Sequence, residues 1–290
     1  MSDATTPPVP RIVLGMELAF WRSEAGKIGQ QAAAAIGTSV PQISKIESGR
    51  QPISEADLRL LLELYDVPDA YRPALVEMAR ATQHSTWLES YRDLLAGKQR
   101  LDTYLELEQA ADSLKALEIW PIHGLLQTEE YAFATIRANK PEAGRHVIDR
   151  LVELRMARKV VLDRDSFHLH VILDEAALRR PMGSAATMRA QLLYLQSAGQ
   201  RPNVTIQVIP QQLGAHPGTD GPFSILTFAR RTGQPDDWNI TYVGSQLGNL
   251  YETRSTLVLP YLDRFDQIEA VALTPDKSDA FVADISQEFT

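Results

Sequence analysis

Apolar residues recur at helical spacing through the N-terminal part of the chain and at strand spacing through much of the remainder. Leu14, Leu18 and Trp21 fall at i, i+4 and i+7 and predict an amphipathic helix. A short Ala-rich helix and a second amphipathic helix follow within residues 25–50. Ser54 then caps a helix carrying Leu58, Leu61, Leu62 and Tyr65, with Glu55 and Asp57 near its positive end. Val67-Pro68 interrupts it, and Tyr71, Leu75 and Met78 mark a fifth helix. Residues 81–100 contain Thr82, His84, Ser85 and Thr86 followed by WLESYRDLL, and read as a boundary.

Beyond that boundary the pattern changes. Periodicity predicts a helix over 103–114, and IWP reads as a short extended piece ending before Pro121. Thr128 caps a predicted helix over 129–138, and Val147, Leu151, Leu154, Arg158 and Val161 mark a longer one over about 142–163. Strand-like runs occupy 167–173, 203–210, 223–229 and 239–244. Met188, Leu192 and Leu195 place an amphipathic helix between the first two runs, and helices are expected at 255–271 and 276–287. Strands separated by helices and then following one another predict a mixed-sheet α/β (α+β) domain behind an all-α N-terminal domain. The expected division is a flexible arm over 1–10, a helical domain over 11–82, a linker over 83–100 and the α/β domain over 101–290.

The stretch AGKIGQQAAAAIGTSVPQISKIESGR (25–50) is the most informative segment. Two short helices joined by a Gly-containing turn form the helix-turn-helix unit, whose second helix enters the DNA major groove. Ala33 and Ala34 are small enough for close helix approach. Gly37 can take the left-handed conformation that ends the first helix. Ser39 suits the N-cap of the second helix, and Pro41 sits in its first turn, where a missing N–H costs nothing. Ile43 and Ile46 are expected to face inward, leaving Val40, Pro41, Gln42, Ser44 and Lys45 outward. The competing reading is an ordinary helical hairpin.

Ile43-Ser44-Lys45-Ile46-Glu47-Ser48-Gly49 resembles the recognition-helix ending of the phage-repressor type (XRE) helix-turn-helix. GLLQTEEYA (124–132), LDEAALRRPMGS (173–184), RPNVTIQVIP (201–210) and GAHPGTDGPFSILTF (214–228) resemble a group of actinobacterial regulators, antitoxin-like and WhiJ-like members included. These join such a module to a poorly characterised C-terminal domain. The resemblance implies that Val40, Pro41, Ser44 and Lys45 approach base edges. Lys45 can donate to guanine O6/N7 or rest on a phosphate; Val40 and Pro41 can touch a thymine methyl or act sterically. Ser39 and Gln42 are suited to phosphate or sugar, as are Arg50 and Gln51 just past the helix. The usual Thr-Gln opening of the first motif helix is Ile28-Gly29 here, so Gln30 would substitute for the phosphate-contacting Gln from one residue later. Glu47 is expected to be structural, because phosphate would repel it. The resemblance further implies a small partner protein encoded nearby that contacts the C-terminal domain.

Charge qualifies this picture. The formal net charge is −8, and residues 1–80 hold eight basic and ten acidic side chains. Within 11–50 five basic groups face three acidic ones. Phosphate attraction supplies most non-specific affinity for DNA. So weakly basic a module should therefore need two copies on a two-fold site, and a homodimer on double-stranded DNA is expected. The chain has no cysteine, which excludes disulfides and thiolate metal sites and fits a cytoplasmic protein. No apolar run approaches bilayer-spanning length, and the N-terminus lacks the basic and apolar regions of a signal peptide.

Candidate chemistry in the C-terminal domain is sparse. His168 and His170 share a strand face and precede Asp174 and Glu175, but Asp174 is better read as a helix cap and the histidines as polar-face residues; no metal and no cofactor are expected. The Gly-rich loop with His216, Gly218 and Asp220 runs between two strands, without the setting of a phosphate-binding loop. It is either a ligand- or partner-contacting loop or a plain connection. Three functions are therefore weighed. The leading one is a DNA-binding transcription regulator, a repressor, with a C-terminal domain that receives a small-molecule effector or a partner. The second is an antitoxin-like protein that sequesters a partner and autoregulates its operon. The third is an enzyme tethered to a DNA-binding module; no enzymatic activity is the expectation.

Overall fold

The computed structural model describes residues 9–80, 88–95, 101–228, 238–245 and 248–289. Residues 1–8 of the arm expected over 1–10, and 83–87 and 96–100 of the linker expected over 83–100, lie outside them, while Val9 and Pro10 already belong to the first helix. The chain divides into two compact units, the first built mainly from residues up to 90 together with 102–110, the second from most of the remainder.

The first unit is helical, as the spacing predicts. Helices α1 (Val9–Glu24), α2 (Gly29–Ala35), α3 (Val40–Glu47), α4 (Glu55–Leu64) and α5 (Arg72–Arg80) follow one another. Their inward stripes meet in one core that includes Leu14, Leu18, Ile43, Ile46, Leu58, Leu61, Leu62, Tyr65 and Leu75. Ser54 caps α4 as expected, its hydroxyl accepting from the Asp57 N–H at 3.0 Å. That helix ends where Asp66 takes a left-handed φ of 52°, just before Val67-Pro68. Gly15 sits where α1 passes α3: a Cβ there would lie 2.5 Å from the Ile46 carbonyl oxygen and 2.7 Å from that of Glu47.

The second unit begins with α6 (Arg92–Leu95). Helix α7 (Leu101–Ala110), whose contacts from residue 102 place it with the first unit, then leads into strand β1 (Ser113–Glu118). A helix over 103–114 was the expectation. It stops at residue 110 because SLKALE is taken into the middle of the sheet, where both edges of the strand are paired. Next come α8 (Glu129–Asn139) and α9 (Arg145–Ala157). The long helix expected to 163 tightens into a 3-10 turn over Arg158–Asp163. Strand β2 (His168–Asp174), α10 (Glu175–Arg179), α11 (Ala185–Gly199) and β3 (Val204–Ile209) follow. Strands β4 (Phe223–Phe228), β5 (Trp238–Ser245) and β6 (Gly248–Glu252) precede α12 (Ser255–Val271) and α13 (Pro275–Ser286).

The six strands form one mixed sheet in the order β3-β2-β1-β4-β5-β6. Strands β1, β2 and β3 are parallel, and β4, β5 and β6 continue antiparallel from β1. Parallel neighbours need crossover connections, which the helices between β1, β2 and β3 supply. Leu117, Ile172, Ile209, Phe223 and Ile225 pack with Phe265 and Ile268 of α12 on one face. The alternate residues Ala116, Val171, Leu173 and Val208 are buried on the other. Strand β6 escaped prediction because GNLYE is short, opens on glycine and pairs only with β5 among the described strands.

The Gly15 contact yields a stability test. Gly15→Ala is expected to lower the stability of the helical unit by about 1–3 kcal/mol through overpacking against backbone, although alanine is the better helix former. Denaturant unfolding of the two proteins measures it, and an unchanged or raised midpoint would refute the close approach.

Candidate nucleic-acid interface

Helices α2 and α3 are joined by the turn the sequence predicts. Gly37 has φ +62°, and the Thr38 N–H reaches back to the Ala33 carbonyl at 2.8 Å. Ile43 and Ile46 are buried, as expected. Ala33 is buried but Ala34 is exposed, since the helical repeat turns Ala32 and Ala33 inward; Ala32 takes the close-packing role. Ser39 occupies the N-cap position in extended conformation, yet its side chain makes no capping bond. Its carbonyl instead accepts from the N–H groups of Gln42 and Ile43. The hydroxyl is thus left to the surface.

The outer face of α3 presents the residues singled out from the sequence. Val40, Pro41, Ser44 and Lys45 are exposed, Gln42 half-buried. Of the backbone-contact candidates, Gln30, Ser39 and Arg50 are exposed and Gln51 is half-buried. Gln31 is exposed as well, but it is engaged locally: its side-chain carbonyl accepts from the Ile28 N–H at 2.9 Å at the start of α2. Gly29 and Val40 form a size-matched pair. A Cβ on Gly29 would come within 3.3 Å of Val40 Cγ1, so the glycine at the start of α2 leaves room for the valine at the start of α3.

Two side chains of α1 fix α3 from behind. Arg22 binds Glu47 through both carboxylate oxygens, at 2.6 and 2.9 Å. It also donates to the Lys27 carbonyl ahead of α2 at 3.1 Å. Arg11 donates through Nε to the Gly49 carbonyl, where Gly49 at φ +70° ends the recognition helix. Glu47 is therefore structural, as expected. Sequence reasoning missed Arg22 and Arg11, because no local spacing connects residues in α1 with acceptors at the far end of the motif.

In the second unit the Gly-rich loop leaves β3 and crosses the carboxyl ends of the parallel strands before entering β4. His216 lies beside Asp174 at the end of β2, Nε2 to Oδ2 at 3.9 Å. Gly218 passes β1 so closely that a Cβ would stand 2.7 Å from Leu117 Cδ2. Asp220 sits at the surface against Arg264 of α12 at 3.3 Å, and the same guanidinium donates to the Pro217 carbonyl at 2.7 Å. His216 lines a cavity of about 420 Å³ with Asp174, Glu175, Arg179, Arg180 and Gln211 among its walls. Of the loop candidates only His216 enters that cavity; Gly218 and Asp220 hold the loop in place. Asp174 caps α10 as expected, Oδ1 accepting from the Ala176 N–H at 2.8 Å. His170 pairs with the Gln207 side chain at 2.8 Å and His168 is exposed. Among the described residues no group of three or more His, Cys, Asp or Glu is placed to hold a metal.

Residues 13–75 match a helix-turn-helix domain. Residues 101–284, more than half of the chain, match a domain of unknown function, DUF5753. The chain belongs to the DUF5753 family. No curated protein and no solved structure matches it. The helix-turn-helix match covers α1 to the start of α5 and makes the N-terminal unit a DNA-binding module. The DUF5753 match covers the whole sheet and its helices almost to the end of α13. Among the described residues no helix is long and apolar enough to cross a membrane.

The DUF5753 domain withdraws two titratable groups from solvent around the end of β1, Glu118 as its last residue and His123 five residues on. Burial pushes the Glu118 carboxyl up to about 8, against the pull of Arg158 and Arg155. Burial, reinforced by the same two arginines, pushes the His123 imidazole down to about 3. Gly124 accommodates Arg158: a Cβ there would stand 3.0 Å from the guanidinium nitrogens.

Two outcomes follow from these arrangements. Glu47→Ala should cost the helical unit about 1–3 kcal/mol in denaturant unfolding, since it strands a mostly buried Arg22. Glu47→Gln, which keeps the size and one acceptor oxygen but removes the charge, should cost less than Glu47→Ala; no loss at all in Glu47→Gln would mean the charge pairing contributes nothing beyond packing. The second concerns pH. A raised carboxyl stabilises below its ordinary 4.5 and loses this as pH rises to 8, whereas a depressed imidazole stabilises above its ordinary 6.5 and loses this as pH falls to 3. The two trends cancel between 4.5 and 6.5, and between 6.5 and 8 only the loss from Glu118 remains. Stability of the DUF5753 domain should therefore fall by about 1–2 kcal/mol across that upper interval. Glu118→Gln should flatten the fall; a fall that persists in this variant would place its origin elsewhere.

Proposed function

We propose that the protein is a homodimeric, site-specific transcription regulator, a repressor, in which α3 reads the major groove and the DUF5753 domain receives a signal. The observation that carries this reading is the division of labour on α3. Ile43 and Ile46 are buried and Glu47 is tied to Arg22, while Val40, Pro41, Ser44 and Lys45 are turned outward together. Lys45 would donate to a base edge, and Val40 and Pro41 would select by shape and apolar contact. Gln30, Ser39, Gln42, Arg50 and Gln51 would engage the sugar-phosphate backbone.

Two copies are required on energetic grounds. A weakly basic module gains little from phosphate attraction alone, so specificity has to come from two recognition helices engaging half-sites roughly 34–36 Å apart, or a multiple of that. In this reading the DUF5753 domain is a receiver, not a catalyst. A signal would act by changing the relative placement of the two recognition helices. A small effector or a small protein partner would each serve.

Genome-wide mapping of bound sites in the native host, paired with site selection in solution, tests the proposal. Wild type should recover a two-fold site. Lys45→Ala should weaken binding by about 1–3 kcal/mol and relax preference at one position in each half-site. An unchanged sequence profile would remove Lys45 from the reading set. Failure of the intact protein to select any duplex in dilute buffer would end the regulator reading altogether.

A further inference from the structure

The cavity at the carboxyl edge of β2 and β3 carries a charge pattern that its own side chains leave incomplete. In open α/β sheets this edge is where ligands bind, and about 420 Å³ lies within the range of small-molecule sites. Two of its four charged groups are satisfied internally. The Glu175 carboxylate receives the Arg179 guanidinium and the Gln211 N–H, the latter at 2.7 Å, and Arg179 also binds Glu288.

The other two are opposite in sign and separate. Asp174 spends Oδ1 on its cap, while Oδ2 faces His216 Nε2 at 3.9 Å, too far for a hydrogen bond. His216 Nδ1 accepts from the Gly218 N–H at 3.1 Å, which assigns the proton of the neutral ring to Nε2, on the cavity side. Arg180 lies over the face of Trp120 at 5.1 Å, a contact that orients the guanidinium without neutralising it. The cavity thus offers one carboxylate oxygen with the His216 N–H beside it, and the Arg180 guanidinium as a second donor in its wall. Ile209, Pro210 and Ala176 give the rest of the wall an apolar character.

We propose that this cavity binds a small zwitterion of the α-amino-acid class, its ammonium on Asp174 and its carboxylate on Arg180 and His216. The proposal rests on reading the DUF5753 domain as a receiver and names the chemistry of what it receives. A phosphate would meet the carboxylates of Asp174 and Glu175 in the same cavity. An amine without a carboxylate would leave Arg180 unmatched, and a carboxylic acid without an amine would leave Asp174 so.

The test uses the full chain in calorimetric titration and thermal unfolding. Probes are the individual protein amino acids at millimolar concentration, the matching amines and carboxylic acids that each lack one charge, and inorganic phosphate. At least one amino acid should bind and raise the unfolding midpoint, with both single-charge analogues about tenfold weaker or worse. Arg180→Gln and Asp174→Asn should each abolish that shift. Asparagine still offers an oxygen to the Ala176 N–H, so the second variant retains the cap of α10, and the analogue comparison on wild type needs no variant at all. Binding by no amino acid, equal binding of the single-charge analogues, preference for phosphate, or a shift that survives both substitutions would each overturn the proposal. DNA selection scored on the same preparation separates the two readings. Zwitterion binding without DNA binding ends the regulator reading alone, and DNA binding without zwitterion binding ends this one alone.

Discussion

An eight-residue helix is too short to be stable by itself. The recognition helix α3 exists because the rest of the helical unit grips it from behind, and everything proposed for DNA recognition depends on that grip. Gly15 lets the backbone of α1 come against the last turn of α3. Arg22 closes on Glu47 just beyond, and Arg11 takes the carbonyl of the glycine that ends the helix. All three contacts act on the end of α3 that lies away from its N-terminal reading residues. The inward isoleucines hold the middle. The N-terminal turn, with Val40, Pro41 and an uncommitted Ser39 hydroxyl, is thereby free of structural duties apart from the contact between Val40 and Gly29.

The helical unit was legible in the sequence because its determinants are local. Gly37, Ser54 and Val67-Pro68 each act within one turn of where they stand, and a stripe such as Leu58, Leu61, Leu62 and Tyr65 declares its own period. What was illegible there is what acts across the chain. Arg22 and Glu47 are 25 residues apart and meet only once the helices pack. Gly15 looks like a weak point in a helix until the carbonyls it approaches are in place. In a run of four alanines composition alone does not tell which two turn inward, and it is Ala32 and Ala33, not Ala34, that do. Val40, Pro41, Ser44 and Lys45, expected from the sequence to face outward, lie exposed on α3.

In the DUF5753 domain the miss was larger and has a physical source. A central strand paired along both edges need not advertise itself by alternation. SLKALE carries Lys115 in the middle of the sheet, and that residue is tolerable because its ammonium reaches Asp266 at 3.1 Å and lies over the Phe265 ring. Pairing with β2 and β4 overrides the local helical pattern. With β1 placed in the centre, the Gly-rich loop acquires a purpose that its composition only hinted at. It must run from the β3 edge across the ends of β2 and β1 to reach β4, and close passage over Leu117 requires Gly218. His216 is carried to Asp174 by that path. Arg180, inside the quoted run LDEAALRRPMGS, gave no signal of its own, since two adjacent arginines after a short helix are ordinary until one is consumed by Glu175 and Glu288 and the other is not.

The charge balance of the helical unit sharpens once its internal pairs are taken into account. Of the five basic residues within 11–50, Arg11 and Arg22 donate to groups inside the unit. Arg59, farther along, pairs with Glu55 on the same helix. In the proposed reading, with Lys45 turned to a base edge, that leaves Lys27 and Arg50 of the motif segment to meet phosphates. Each phosphate contact contributes to the salt dependence of binding in proportion to the counterions it releases, so one copy of this module has a shallow dependence and little non-specific hold. In the proposed reading such a module would search DNA poorly by charge and discriminate by fit, its apolar Val-Pro opening excluding bases it cannot accommodate. In the proposed dimer the second copy would restore affinity, because its helix binds at the effective concentration set by the first. A domain that holds two copies together, or lets them part, would then control occupancy more steeply than any change in the helices themselves.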